Sequence, residues 1–164
     1  MRRPNKLKAR SIAKRLLQRC EVDSPPVRLS KIVSHLEISV VKGDPQKLAV
    51  LKTKEISAIV DLEGKIVVYN DKHPIVRKRF SVAHELGHYL MGHTIRNDIF
   101  NINSKDPREV EANMFAAELL MPFDWLKADM RVSGMKIREL AKKYWVSEEA
   151  MGWRLLKSDA LLLG

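Results

Sequence analysis

The chain is poor in cysteine, in long apolar runs and in acidic residues relative to basic ones, and each shortage removes a class of explanation. Cys20 is the only cysteine in 164 residues. No intrachain disulfide can form, and a thiolate zinc cluster is ruled out, which points to a reducing cytoplasm. No apolar run approaches the roughly 20 residues that span a bilayer. The basic N-terminal stretch lacks an apolar core followed by small residues, so a secretory leader is not expected. Repeats and low-complexity tracts are also missing. Against 30 Lys and Arg stand 20 Asp and Glu, a formal net charge of +10. A field of that sign attracts polyanions without sequence preference, whether nucleic acid or an acidic protein. Hydrophobic residues make up 45% of the chain, enough for one ordinary core. The length suits one domain with a small appendage.

The richest stretch is His84-Glu85-Leu86-Gly87-His88, an H-E-x-x-H pattern. On a helix, residues four apart share a face with Cβ atoms about 6 Å apart, so two imidazoles can close on one cation. The glutamate between them can act as a base toward water without being a ligand. A chance match is rare but real, so the setting matters. Pro74 suits a first helical position, Ile75 to Met91 carries apolar residues along its length, and Gly92 is a natural stop. Two histidines and a glutamate on a mostly apolar helix are costly to bury without a metal.

Catalytic zinc usually takes three protein ligands and leaves a position open. His93 falls nine positions after His84, which does not match the metzincin spacing. It is expected to end the helix, its imidazolium complementing the negative dipole, or to contact substrate. A better third ligand lies in the helical run Arg108 to Met121, where Ala112, Phe115, Ala116, Leu119 and Leu120 form an apolar stripe. Helix phase puts Glu109 on the core side with Ala112, Asn113 and Ala116, and Glu111 nearer the flank. Glu109 is therefore the expected ligand, with Asn113 one turn on to orient a ligating histidine. The competing role for Glu109 is structural, because Asp106-Pro107-Arg108-Glu109 also reads as a capping box. The Ala116-Ala117 pair suits close packing on the motif helix.

Elsewhere, helices are expected over Ser11 to Arg19 and Leu29 to Leu36. Strands are expected over Ile38 to Val41, Leu48 to Leu51, Ile56 to Leu62 and Lys65 to Tyr69, the last two joined by a Glu63-Gly64 hairpin. A strand beside the cleft could pair with an extended peptide, though the sequence leaves open which strand is the edge. Eight basic residues within the first nineteen read as a solvated face, or as a binding arm. From about Phe123 the character changes. Ile137 to Tyr144 and Glu148 to Lys157 flank Trp145-Val146-Ser147 in a helix-turn-helix-like pattern. Glu148 and Glu149 at the start of its second helix argue against groove reading. Trp125, Trp145 and Trp153 are expected as core anchors. The domain reading is a core over 1–125 and a helical subdomain over 126–164 packed on it.

Arg79-Phe80-Ser81-Val82-Ala83-His84-Glu85-Leu86-Gly87-His88, with Glu109-x-x-Ala112-Asn113-x-Phe115-Ala116-Ala117-x-Leu119-Leu120-Met121-Pro122, resembles the ImmA/IrrE metallopeptidases. Pro25-Pro26-Val27-Arg28-Leu29 with Ile32-Val33-x-x-Leu36 resembles the start of that family's domain, and the similarity covers about residues 10 to 125. The resemblance implies an α+β, gluzincin-like (zincin-like) fold with a three- to four-stranded sheet. It implies zinc held by His84, His88 and Glu109, with Glu85 as catalytic base. It also implies cleavage of helix-turn-helix repressors, and so derepression of mobile-element, prophage or stress genes. Radiation-response members carry a further sensor-like domain, for which 164 residues leave no room. Tyr89, His93 and Tyr144 are the residues put forward for contacting substrate or the oxyanion. The alternative is a DNA-associated regulatory protein with a non-catalytic metal site, although direct nucleic-acid binding is not favoured.

Overall fold

Asn5 opens the first helix by accepting a hydrogen bond from the Lys8 amide, and α1 then runs Lys6–Arg19. It begins before the apolar spacing does, because the cap sets the start and the first turn is solvated. The helix buries Ala9, Ala13, Leu16 and Leu17. In order follow α2 (Leu29–His35), β1 (Ser39–Gly43), α3 (Pro45–Leu48), β2 (Ala58–Asp61), β3 (Ile66–Asn70), α4 (Ile75–Met91), α5 (Pro107–Leu120), α6 (Phe123–Ser133), α7 (Ile137–Tyr144) and α8 (Glu148–Leu162). This computed structural model describes residues 2–48, 56–61, 63, 65–93 and 105–162, with backbone alone at 48, 133 and 158–162. The architecture is α+β, a small zincin-like domain with a helical appendage.

The strand expected at Leu48 to Leu51 is not found at its start. Pro45 suits a helical first turn, Leu48 ends α3, and 49–51 lie outside the described residues. The three strands form a mixed sheet in the order β1-β3-β2. β1 runs parallel to β3, from Ser39↔Ile66 to Gly43↔Asn70. β2 runs antiparallel to β3, from Ala58↔Tyr69 to Asp61↔Ile66. The Glu63 turn and Lys65, at φ 49, make that reversal. Val60 and Val67 are buried, and α4 packs on this part of the sheet.

α4 and α5 are the central pair, and α1 packs on α5 as well. Between Arg79 and His88 every residue of α4 is buried, as is every residue of α5 from Glu111 to Leu120. Ala116 and Ala117 are fully buried, as small residues in a close helix pair should be, and Gly87 of α4 allows a close approach one turn away. A Cβ on Gly87 would meet Ala112 Cα at 3.0 Å and Phe115 Cδ1 at 3.1 Å. Pro122 ends α5 and serves as the N-cap of α6.

Residue 125 falls inside α6, and one hydrophobic cluster runs across the expected boundary to Leu140, Tyr144, Val146, Ala150 and Met151. Polar contacts cross it too. The buried Arg154 donates to the Met121 carbonyl at 3.0 Å and pairs with Glu118. Arg79 of α4 donates to the carbonyls of Trp145, at 3.1 Å, and Val27, at 2.9 Å. Trp145 is not a core anchor. It caps α7 in the left-handed region, is 45% exposed, and carries the Arg79 guanidinium over its ring at 4.7 Å. Trp125 and Trp153 are half-buried against the core.

Candidate metal centre

The fully helical span of α4 puts His84 and His88 one turn apart, and α5 supplies Glu109 opposite them. His84 Nε2 and His88 Nε2 stand 2.9 Å apart. Glu109 Oε2 is 3.2 Å from His84 Nε2, and its Oε1 is 3.0 Å from His88 Nε2. Tetrahedral ligands about 2.0–2.1 Å from a zinc ion stand about 3.3 Å from one another, so the two nitrogens and the carboxylate are close to a coordination face. His84, His88 and Glu109 are all buried and could hold a metal ion.

The outer ring nitrogens explain why the inner ones carry lone pairs. His84 Nδ1 lies 2.9 Å from Asn113 Oδ1, so it donates there and leaves Nε2 an acceptor in the neutral ring. His88 Nδ1 lies 2.9 Å from His93 Nδ1. Burial raises the Glu109 carboxyl, and with no ion present only ring hydrogens of His84 and His88 turned toward it would outweigh that and bring it to about 2. Neither of its buried oxygens, however, receives a hydrogen bond of proper geometry. Two ring nitrogens converge here on a carboxylate whose buried oxygens lack a hydrogen bond, and a divalent ion between them fits the donor set. The capping-box role for Glu109 is not taken up. Asp106 alone caps α5, accepting from the Arg108 amide.

Glu85 follows His84 on α4 and is 7% exposed. Burial pushes its carboxyl up to about 8; His88 pulls it down, Glu109 pushes it further up, and a hydrogen bond from the Val60 backbone pulls it down. Val60 belongs to β2, an edge strand of the sheet. The sequence left the choice of edge open; this contact places β2 against the Glu85 carboxylate.

The three residues put forward for the oxyanion separate. Tyr89 is half-buried at the side of the core. The Tyr144 hydroxyl is committed elsewhere. It donates to Asp129 Oδ2 at 2.8 Å, and burial together with that carboxylate raises its pKa. His93 is 5% exposed and uses both ring nitrogens, one toward His88 and the other 2.7 Å from Glu111 Oε2. Burial lowers its pKa while Glu111 works against that. It is therefore neither a solvated imidazolium on the helix end nor open to an oxyanion.

Glu111 is the residue that sequence reasoning misplaced. It is 0% exposed, not on a flank. Burial raises its carboxyl, but the Asn5 amide, His93 and Arg2 bring it below the usual range. The turn at His93 did carry a signal, though its partner did not. Gly92 takes φ 69 after α4, and a residue following such a glycine folds back on the last turn, as the His93 amide does on the His88 carbonyl at 3.0 Å.

Among the described residues, no helix is long and apolar enough to cross a membrane. An uncharacterized immunity region protein 2 of Bacillus phage phi105 is 34% identical over 85 residues, spanning 49% of this chain and 52% of its own. A solved Mycobacterium tuberculosis transcriptional regulator superposes with a TM-score of 0.66 at 17% identity, over 90% of this chain and 46% of its own. The chain thus spans about half the length of each relative. The family model described as Peptidase_M78, IrrE N-terminal-like domain, matches residues 38–156, across the sheet, the α4–α5 pair and most of the appendage. The chain belongs to that family.

Proposed function

We propose that this protein is a zinc-dependent endopeptidase that cleaves a helix-turn-helix transcriptional repressor. The observation that carries the reading is the Glu85 carboxylate, buried beside His84, His88 and Glu109 and against the edge strand β2. His84, His88 and Glu109 would hold the ion. When bound, zinc lowers the pKa of water and polarises a scissile carbonyl. Glu85 takes a proton from the attacking water and passes it to the leaving amine. A peptide laid along the outer edge of β2 would add a strand and bring its backbone to Glu85. Of the residues put forward for the oxyanion, Tyr89 stays. The phage immunity-region relative and the neighbour named as a transcriptional regulator support a substrate drawn from gene control.

The test is incubation with helix-turn-helix repressors encoded nearby, with and without a zinc chelator, read by intact-mass spectrometry. Two complementary fragments that vanish with chelation are expected. Intact repressor under both conditions contradicts the substrate assignment.

A second reading, a DNA-associated regulator with a non-catalytic metal site, draws on the net charge of +10. Three of the N-terminal basic residues, Arg2, Arg10 and Lys14, are already paired with Glu111, Glu118 and Asp124. Glu148 and Glu149 stand exposed at the start of α8, where a recognition helix would meet phosphate. Tight duplex binding with a steep salt slope would favour this reading over hydrolysis.

A further inference from the structure

Behind His88 runs a chain of polar contacts that peptide hydrolysis, as proposed, does not use. His88 Nδ1 is 2.9 Å from His93 Nδ1, and His93 Nε2 is 2.7 Å from Glu111 Oε2. The other Glu111 oxygen accepts the Asn5 backbone N–H at 2.6 Å, and the Arg2 guanidinium pairs with the carboxylate. His88, His93 and Glu111 are 8%, 5% and 0% exposed. The contacts draw on three separate stretches: the end of α4, the first turns of α5, and the residues before α1.

With Glu111 ionised and His93 neutral, the hydrogens along the line fall in one order. An ionised Glu111 only accepts, so His93 Nε2 must donate to it. A neutral His93 then presents a lone pair at Nδ1. His88 must fill that position with its own Nδ1–H, which leaves its Nε2 lone pair facing Glu109. His84 is served differently, by the neutral amide of Asn113.

We infer that His93 and Glu111 are positioning residues for the metal ligand His88, held in place by Arg2 and Asn5. Glu111 fixes the tautomer of His93, and His93 fixes the tautomer and ring orientation of His88. The inference rests on the reading that His88 Nε2 binds the ion. Its consequence is that the first residues of the chain, which do not reach the ligand atoms, help set metal affinity.

Glu111→Gln is the informative change because it keeps shape and removes acceptor capacity. An amide NH2 facing His93 calls for the opposite tautomer, which would turn a hydrogen of His88 toward the metal position. His93→Gln interrupts the same line at its centre. Zinc affinity is read by competition with a chromophoric chelator, and the cobalt(II)-substituted protein reports the ligand field by its visible spectrum. Both variants should bind zinc at least about ten-fold more weakly than the parent, with an altered cobalt spectrum. Folded variants with the parent affinity and spectrum would overturn the positioning role and leave the ligand assignment standing. A parent protein that binds neither ion would overturn the ligand assignment, and the positioning role with it.

Discussion

Glu85 and Glu109 are two buried carboxylates on neighbouring helices whose environments drive them apart. Positive charge between the helices, on ring or ion, keeps Glu109 ionised, while burial lifts Glu85 to about 8. Such separation suits one group as a permanent ligand and the other as a proton carrier. Glu85→Gln should keep the zinc stoichiometry of the parent and lower the peptidase rate by about 10²-fold or more, measured on the cleaved repressor. Cleavage at the parent rate would remove Glu85 from the mechanism. Asn113→Ala should weaken zinc binding about 10–100-fold, because the His84 Nδ1–H loses its acceptor. Chelator competition reads this, and an unchanged affinity would contradict the orienting role. These positions were legible from the chain for a local reason. His84, Glu85 and His88 are set by helical spacing, and Glu109 and Asn113 by the phase of a single helix. Glu111 and His93 were not, because their partnership joins segments eighteen residues apart, and phase about one axis says nothing of what packs behind it.

The α4–α5 pair is the element on which the candidate centre depends, since the residues that could hold an ion come from both helices. Gly87, inside the motif, sets their separation. Gly87→Ala gains up to about 1 kcal/mol of helix propensity. It also drives a Cβ to within 3.0–3.1 Å of the Ala112 backbone and Phe115, and overpacking of that kind costs about 1–3 kcal/mol. The predicted net result is a lower melting temperature together with weaker zinc binding, because Glu109 moves away with α5. Melting curves with and without zinc check this; an undiminished affinity would mean the helices do not separate. The expectation of close packing named Ala116-Ala117, both buried, and did not name Gly87. Sequence alone identifies small residues, while the crossing point of two helices depends on their tertiary placement. The hairpin of β2 and β3 was legible from its turn residues and β-branched runs. The start at Leu48 was read as a strand on the same apolar signal, and Pro45 instead opened a short helix there.

At the scale of the whole molecule, the helical C-terminal region was expected to pack on the core, and contacts tie both it and part of the basic surplus there. Arg10 and Arg154 approach the buried Glu118 from α1 and α8, while Arg79 links α4 to the carbonyls of Val27 and Trp145. Composition reports how much charge there is but not where it is neutralised. A molecule joined in this way should respond to its ion as a unit. Zinc at about a thousand times its dissociation constant adds about 4 kcal/mol to stability. For a chain of this size that raises the melting temperature by about 8–16 °C, visible in one cooperative transition. A small or absent shift in the parent protein would contradict a preformed, buried site.

The most direct test of the central claim is the position of the ion, from anomalous scattering at the zinc edge in crystals of the zinc-loaded protein. A single peak about 2 Å from His84 Nε2, His88 Nε2 and a Glu109 oxygen is predicted. A peak elsewhere, or none in fully loaded protein, would contradict the account.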